Sequence, residues 1–199
     1  MQTSRSNDAG LPEIDTHHFE VDLQPCLRRL RRFQRDRPAF IKLIQRLVYE
    51  LELQGKIKQL KLLLALDRAE LYREAGDQWP SPRVSLAIYK DRYMEEQLLR
   101  HELGHEADRW NPQMLYDPTI EKRWKHCSWA LNVAADISLD ARLGKGGLGK
   151  TWRRDDFLRM LGKDQEGLFE EAWANPPTTW PAIELLAKRL LAIQAAKAR

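Results

Sequence analysis

The stretch HELGHEADRW, residues 101–110, sets two histidines four residues apart with a glutamate directly after the first. On an α-helix four residues advance by about 400°, so His101 and His105 project about 40° apart on one face. Two imidazoles in that relation can aim nitrogens at one point, and a zinc ion about 2.0–2.1 Å from each is the natural occupant. Glu102 falls about 100° round the helix from His101. That sets it beside such an ion, where a carboxylate serves as general base toward a metal-bound water. H-E-x-x-H on a helix reads as the zinc-binding element of a metallopeptidase. Two nitrogens leave the coordination incomplete. The metzincin extension does not supply the third ligand, because its glycine position holds Asp108 and its last histidine position holds Asn111.

The best source is NVAADISLD, residues 132–140. Asn132, Asp136 and Asp140 recur every four residues and share a face, and apart from Ser138 the residues between them are apolar. Carboxylates on so apolar a helix call for a partner, since an unpaired buried charge is costly. Asp136 is assigned to the metal. Asp140 is assigned to the surrounding shell, accepting a hydrogen bond from the far nitrogen of a ligand histidine, with Asn132 beside it. His126, 21 residues beyond His105, is the rival third ligand. The oxyanion of a tetrahedral intermediate needs a positive or hydroxyl group, for which His126, Tyr116 and Arg142 are candidates.

With H-E-x-x-H on one helix and Asp136 and Asp140 on a second, the chain resembles the gluzincins. These are zinc peptidases with H-E-x-x-H on one helix and E-x-x-x-D on another. It is most similar to the compact minigluzincins and to bacterial metallopeptidase-like domains with an N-x-A-x-D helix. The resemblance covers about residues 38–143. It implies His101, His105 and Asp136 as ligands of one Zn2+ per chain, Glu102 as base and Asp140 as the supporting acid. It also implies a substrate-pairing edge strand at RVSLAIYK, residues 83–90. The family ligand is usually Glu; the shorter Asp136 requires a closer approach of the second helix, and Gly104, Ala134 and Ala135 are small. SprT-like peptidases use a third histidine after H-E-x-x-H and act near DNA, which keeps His126 open.

The elements that must position these residues follow from periodicity. AFIKLIQRLVYELELQ reads as a helix, with Pro38 in its first turn and Gly55 just past its end. Residues 56–66 are ambiguous, since their alternating leucines favour a strand but would also suit a helix, and 83–90 is a strand with Val84, Leu86 and Ile88 on one face. WPSP, 79–82, is an extended loop. Asp91 can cap the H-E-x-x-H helix, which Pro112 ends. A second helix spans 128–143 with Gly144 as its stop. Shorter helices lie near 153–161 and 165–174, and a last amphipathic helix starts near Pro181. The class is α+β: a mainly helical zincin-like domain with a small sheet, over 28–143. A flexible arm, 1–27, precedes it, and a Gly-rich loop with a helical tail, 144–199, follows.

Hydrophobic residues at 43% and charged residues at 31% suit a globular domain. No apolar run reaches membrane-spanning length, and the N-terminal stretch lacks an apolar leader, so the expectation is a cytoplasmic hydrolase. The net charge of +4 is local: residues 28–37, RRLRRFQRDR, carry +5. That patch is either a solvated helix face or a contact for nucleic acid or an acidic partner. It supports an alternative function, a metal-stabilised binding module without catalysis. GKGGLGKT, 144–151, matches G-x-x-x-x-G-K-[ST] in full. A phosphate loop needs a buried strand before it, and here a helix precedes it, so the loop is read as a cationic exit from the second helix.

Overall fold

In the computed structural model the described residues are 10–15, 27–65, 70–72, 83–89, 92 and 94–197. The WPSP loop and Asp91 lie outside them. The chain forms two compact units, Met1–Ala107 and Asp108–Arg199.

The first unit contains a four-stranded sheet: β1 (Glu13–Asp15), β2 (Gln59–Ala65), β3 (Glu70–Tyr72) and β4 (Arg83–Tyr89), in the order β1-β2-β4-β3. β2 runs parallel to β1 and β4, with Leu60 opposite Val84 and Leu62 opposite Leu86, while β3 is antiparallel to β4. Leu60, Leu62, Val84, Ser85 and Leu86 are buried, as expected where an inner strand is covered on both faces. β4 therefore is not the edge strand that the family resemblance implies. β3 occupies its second edge across Ser85–Ala87. The N-terminal arm is also not wholly loose, because Glu13–Asp15 pairs with Gln59–Lys61 and the Gly55 N–H donates to the Gly10 carbonyl at 2.8 Å.

Helix α1 (Leu27–Glu50) carries Phe40, Ile44, Leu47 and Val48 buried at helical spacing. It starts well before Pro38, which lies inside it. The leading residues are mostly Arg and Leu, near the top of the helix scale, and they carry the helix through a proline that removes one hydrogen bond. Its end is set at Glu52, not Gly55. Glu52 adopts left-handed φ 55°, its N–H donates to Tyr49, and the Leu53 N–H donates to Val48 at 2.9 Å. Helix α2 (Glu96–Trp110) follows the sheet.

The second unit is helical: α3 (Thr119–Arg123), α4 (Ser128–Leu143), α5 (Lys150–Leu161), α6 (Glu166–Ala174) and α7 (Trp180–Lys197). Ala130, Ala134 and Ile137 of α4 pack in one core with Phe157, Phe169 and Ile183. α4 has the bounds read from the sequence, and it stops where Gly144 takes φ 57°. The coarse α+β class holds, mostly helix with one small sheet. No helix among the described residues is long and apolar enough to cross a membrane.

Candidate metal centre

Helix α2 is anchored at its start. Arg100 donates to Glu96 at 2.9 Å and to Glu50 of α1, and Arg46 of α1 also donates to Glu96. The hydrogen bonds from Arg100 and then Arg46 hold the Glu96 carboxyl below the usual range. One turn on, His101 is buried and His105 half-buried. Their Nε2 atoms lie 3.1 Å apart, and the rings meet edge-on at 85°. The helical spacing read from the sequence thus brings two ring nitrogens to one point. Glu102 is buried between them in sequence. Glu106, which the sequence reading passed over, is fully buried one turn beyond Glu102.

The carboxylates of α4 have a partner that sequence reasoning missed. Arg153 of α5 is buried, with its Nη1 donating to Asp136 Oδ2 at 2.7 Å. Its Nε and Nη2 donate to Asp140 Oδ2 at 2.8 and 2.6 Å. The Leu148 N–H donates to Asp140 Oδ1 at 3.1 Å. Burial pulls the Arg153 guanidinium down, but Asp136 and Asp140 more than offset it and leave it firmly charged. Asp140 is completely buried and Asp136 partly so. Asp140, expected to serve a ligand histidine, thus takes hydrogen bonds from Arg153 and Leu148. Buried carboxylates do need a partner, but nothing local in the sequence singles out Arg153 among the arginines.

Arg142 grips Asp108 with two hydrogen bonds, one of 2.9 Å from Nη1. The Tyr116 hydroxyl donates to Glu121 at 2.8 Å. His126 and Asn132 are exposed. The glycine loop wraps Asp140: a Cβ at Gly147 would come within 2.7 Å of Asp140 Oδ1. Helix α4, not a strand, precedes this loop.

The first unit offers two ring nitrogens brought together at His101 and His105, and Asp136 on α4 of the second unit offers a carboxylate oxygen. Two donors at about 2.0–2.1 Å from one ion, at the tetrahedral angle, stand about 3.4 Å apart, close to the 3.1 Å between the two Nε2 atoms. Two imidazoles and a carboxylate are also the donor set of a catalytic zinc site that keeps one position open. The residues therefore fit zinc. No protein-family model, no curated protein and no solved structure matches the chain.

Proposed function

We propose that the protein is a zinc-dependent metallopeptidase of gluzincin type, holding one zinc through His101, His105 and Asp136. The observation that carries this reading is the convergence of the two Nε2 atoms on a helix that also carries the buried Glu102; Asp136 is the third donor of the reading. A bound zinc ion supplies Lewis acidity, which lowers the pKa of water toward about 7 and polarises a carbonyl. Glu102 takes the proton of the attacking water and passes it to the leaving amine. The substrate strand is reassigned to β3: among the described residues it is the outer strand beside β4, where an extended peptide can pair. Arg142 and Tyr116 already serve carboxylates, which argues for structural roles. A cytoplasmic site of action belongs to the same reading. The test is Glu102→Gln with a panel of peptide substrates. The variant should retain zinc and lose turnover by roughly 100-fold or more; proteolysis at the wild-type rate would refute the mechanism. In the SprT-like variant of this reading His126 replaces Asp136 as the third ligand, and metal analysis of the two alanine variants separates them.

A second reading, a metal-stabilised module that contacts nucleic acid, is favoured by α1. Arg32 and Arg35 leave 68% and 75% of their side chains exposed. None of the described residues between Arg32 and Ala39 is buried. A polar helical stretch this basic attracts phosphates, and its affinity must fall steeply with salt. Salt-dependent binding of duplex DNA without any peptidase activity would favour this reading over the first.

A further inference from the structure

We infer that Arg153 is the positioning residue of the metal site: it holds the Asp136 carboxylate for the ion and is itself fixed by Asp140. This inference rests on the zinc reading above. Asp136 and Asp140 are one turn apart on α4, so their carboxylates present to one partner. Arg153 meets both with separate donors of its rigid fork, Nη1 to Asp136 and Nε with Nη2 to Asp140. Three further contacts fix that arrangement. The Leu148 N–H holds the other oxygen of Asp140. Gly147 lets the loop backbone approach that same oxygen. The Trp152 ring lies 4.9 Å from the guanidinium carbon. Aspartate is a short ligand with little reach of its own, so an ion at this position needs the carboxylate held in place.

The alternative is that Arg153 merely neutralises charge in the core, and the two roles predict opposite changes. Arginine carries the same sign as zinc. A bystander guanidinium weakens metal binding, and removing its charge should tighten it. A positioning guanidinium strengthens binding through geometry that a lysine, with one point of charge, cannot reproduce. Arg153→Lys and Arg153→Gln should therefore both bind zinc more weakly, by about 10- to 100-fold. The visible spectrum of the cobalt-substituted Arg153→Lys protein should move toward that of Asp136→Ala. Far-UV circular dichroism of the metal-free variants checks folding. If Arg153→Lys does not fold, Arg153→Gln carries the test, because weaker binding is expected from a positioning role and tighter binding from a bystander charge; Asp140→Asn, which loosens the anchor, should lose less. Wild-type zinc affinity and cobalt spectrum in Arg153→Lys and Asp140→Asn, or tighter binding by Arg153→Gln, would overturn the inference while leaving the zinc site standing. Unchanged zinc binding in His101→Ala and Asp136→Ala would instead remove the site, and this inference with it.

Discussion

The Nε2 atoms of His101 and His105 lie 3.1 Å apart on perpendicular rings, one helical turn from each other. Two neutral imidazoles can share one proton at that distance, whereas a cation uses both lone pairs. The expected outcome is one zinc per chain by metal analysis. Binding should be lost in His101→Ala, His105→Ala and Asp136→Ala and kept in His126→Ala. Because the unfolded chain has no assembled site, free zinc at 100 times its dissociation constant should raise folding stability by about 2.7 kcal/mol. Chelation should lower the melting temperature accordingly. Loss of zinc in His126→Ala with retention in Asp136→Ala would reverse the third-ligand assignment.

Much of this arrangement is legible in the sequence because it is local. Helical spacing alone predicts the convergence at 101 and 105, and the bounds of α4 follow from an apolar run ending at Gly144. What is not legible is long-range. β3 has three residues, too few to show a period, yet it decides that β4 is an inner strand. Arg153 meets Asp140 and Asp136 from 13 and 17 residues away, across a loop. The start of α1 is not legible because proline is a strong local signal, and here the helix formers on either side override it.

Arg142 tests the difference between a catalytic and a structural arginine. Its two hydrogen bonds to Asp108 engage a carboxylate side chain only 9% exposed, so removing the guanidinium leaves a nearly buried charge without that partner. Arg142→Met should cost about 1–3 kcal/mol of stability by urea denaturation. A variant as stable as wild type but slow in turnover would return Arg142 to the oxyanion role.

Glu52 occupies the left-handed position that closes α1, where Leu53 and Glu52 donate back to Val48 and Tyr49. Glycine takes this conformation without the steric cost borne by an L residue, at the expense of a more flexible unfolded chain. Glu52→Gly should stabilise the protein by about 0.5–1 kcal/mol, while Glu52→Ala should change little. A lower melting temperature for the glycine variant would show that this turn is not the helix stop.

Asp117 gives a pH signature. Arg123 donates to its Oδ2, and Thr119 donates to both oxygens, from its hydroxyl at 2.7 Å and its backbone N–H at 2.9 Å. These bonds, that of Arg123 foremost, lower the carboxyl from 3.8 to about 2. A depressed folded-state value adds stability that is complete above the unfolded value and is lost as pH falls through the folded one. The stability gap between wild type and Asp117→Asn should therefore stay constant above about pH 5 and close between 3.8 and about 2. Denaturant midpoints across that range measure it, and a gap that widens on acidification would contradict the assignment.

Gly147 separates the two meanings of the glycine loop. In the phosphate-loop pattern the required positions are Gly144, Gly149, Lys150 and Thr151, and residue 147 is free to vary. In the fold the dependence is different. A Cβ at 147 would meet Asp140 Oδ1 at 2.7 Å, and that carboxylate cannot swing away while Arg153 and the Leu148 N–H hold it. A Cβ at Gly149 meets nothing within 4 Å, so its cost is the backbone strain of φ 91° alone. Lys150 donates to Glu170 at 2.6 Å, an ordinary surface ion pair. Gly147→Ala should lose about 1–3 kcal/mol, more than Gly149→Ala at about 1 kcal/mol, and calorimetric titration with ATP should show no saturable binding to wild type. Equal costs at 147 and 149, or micromolar ATP binding lost in Lys150→Ala, would mean that the loop is built for phosphate and that its grip on Asp140 is secondary.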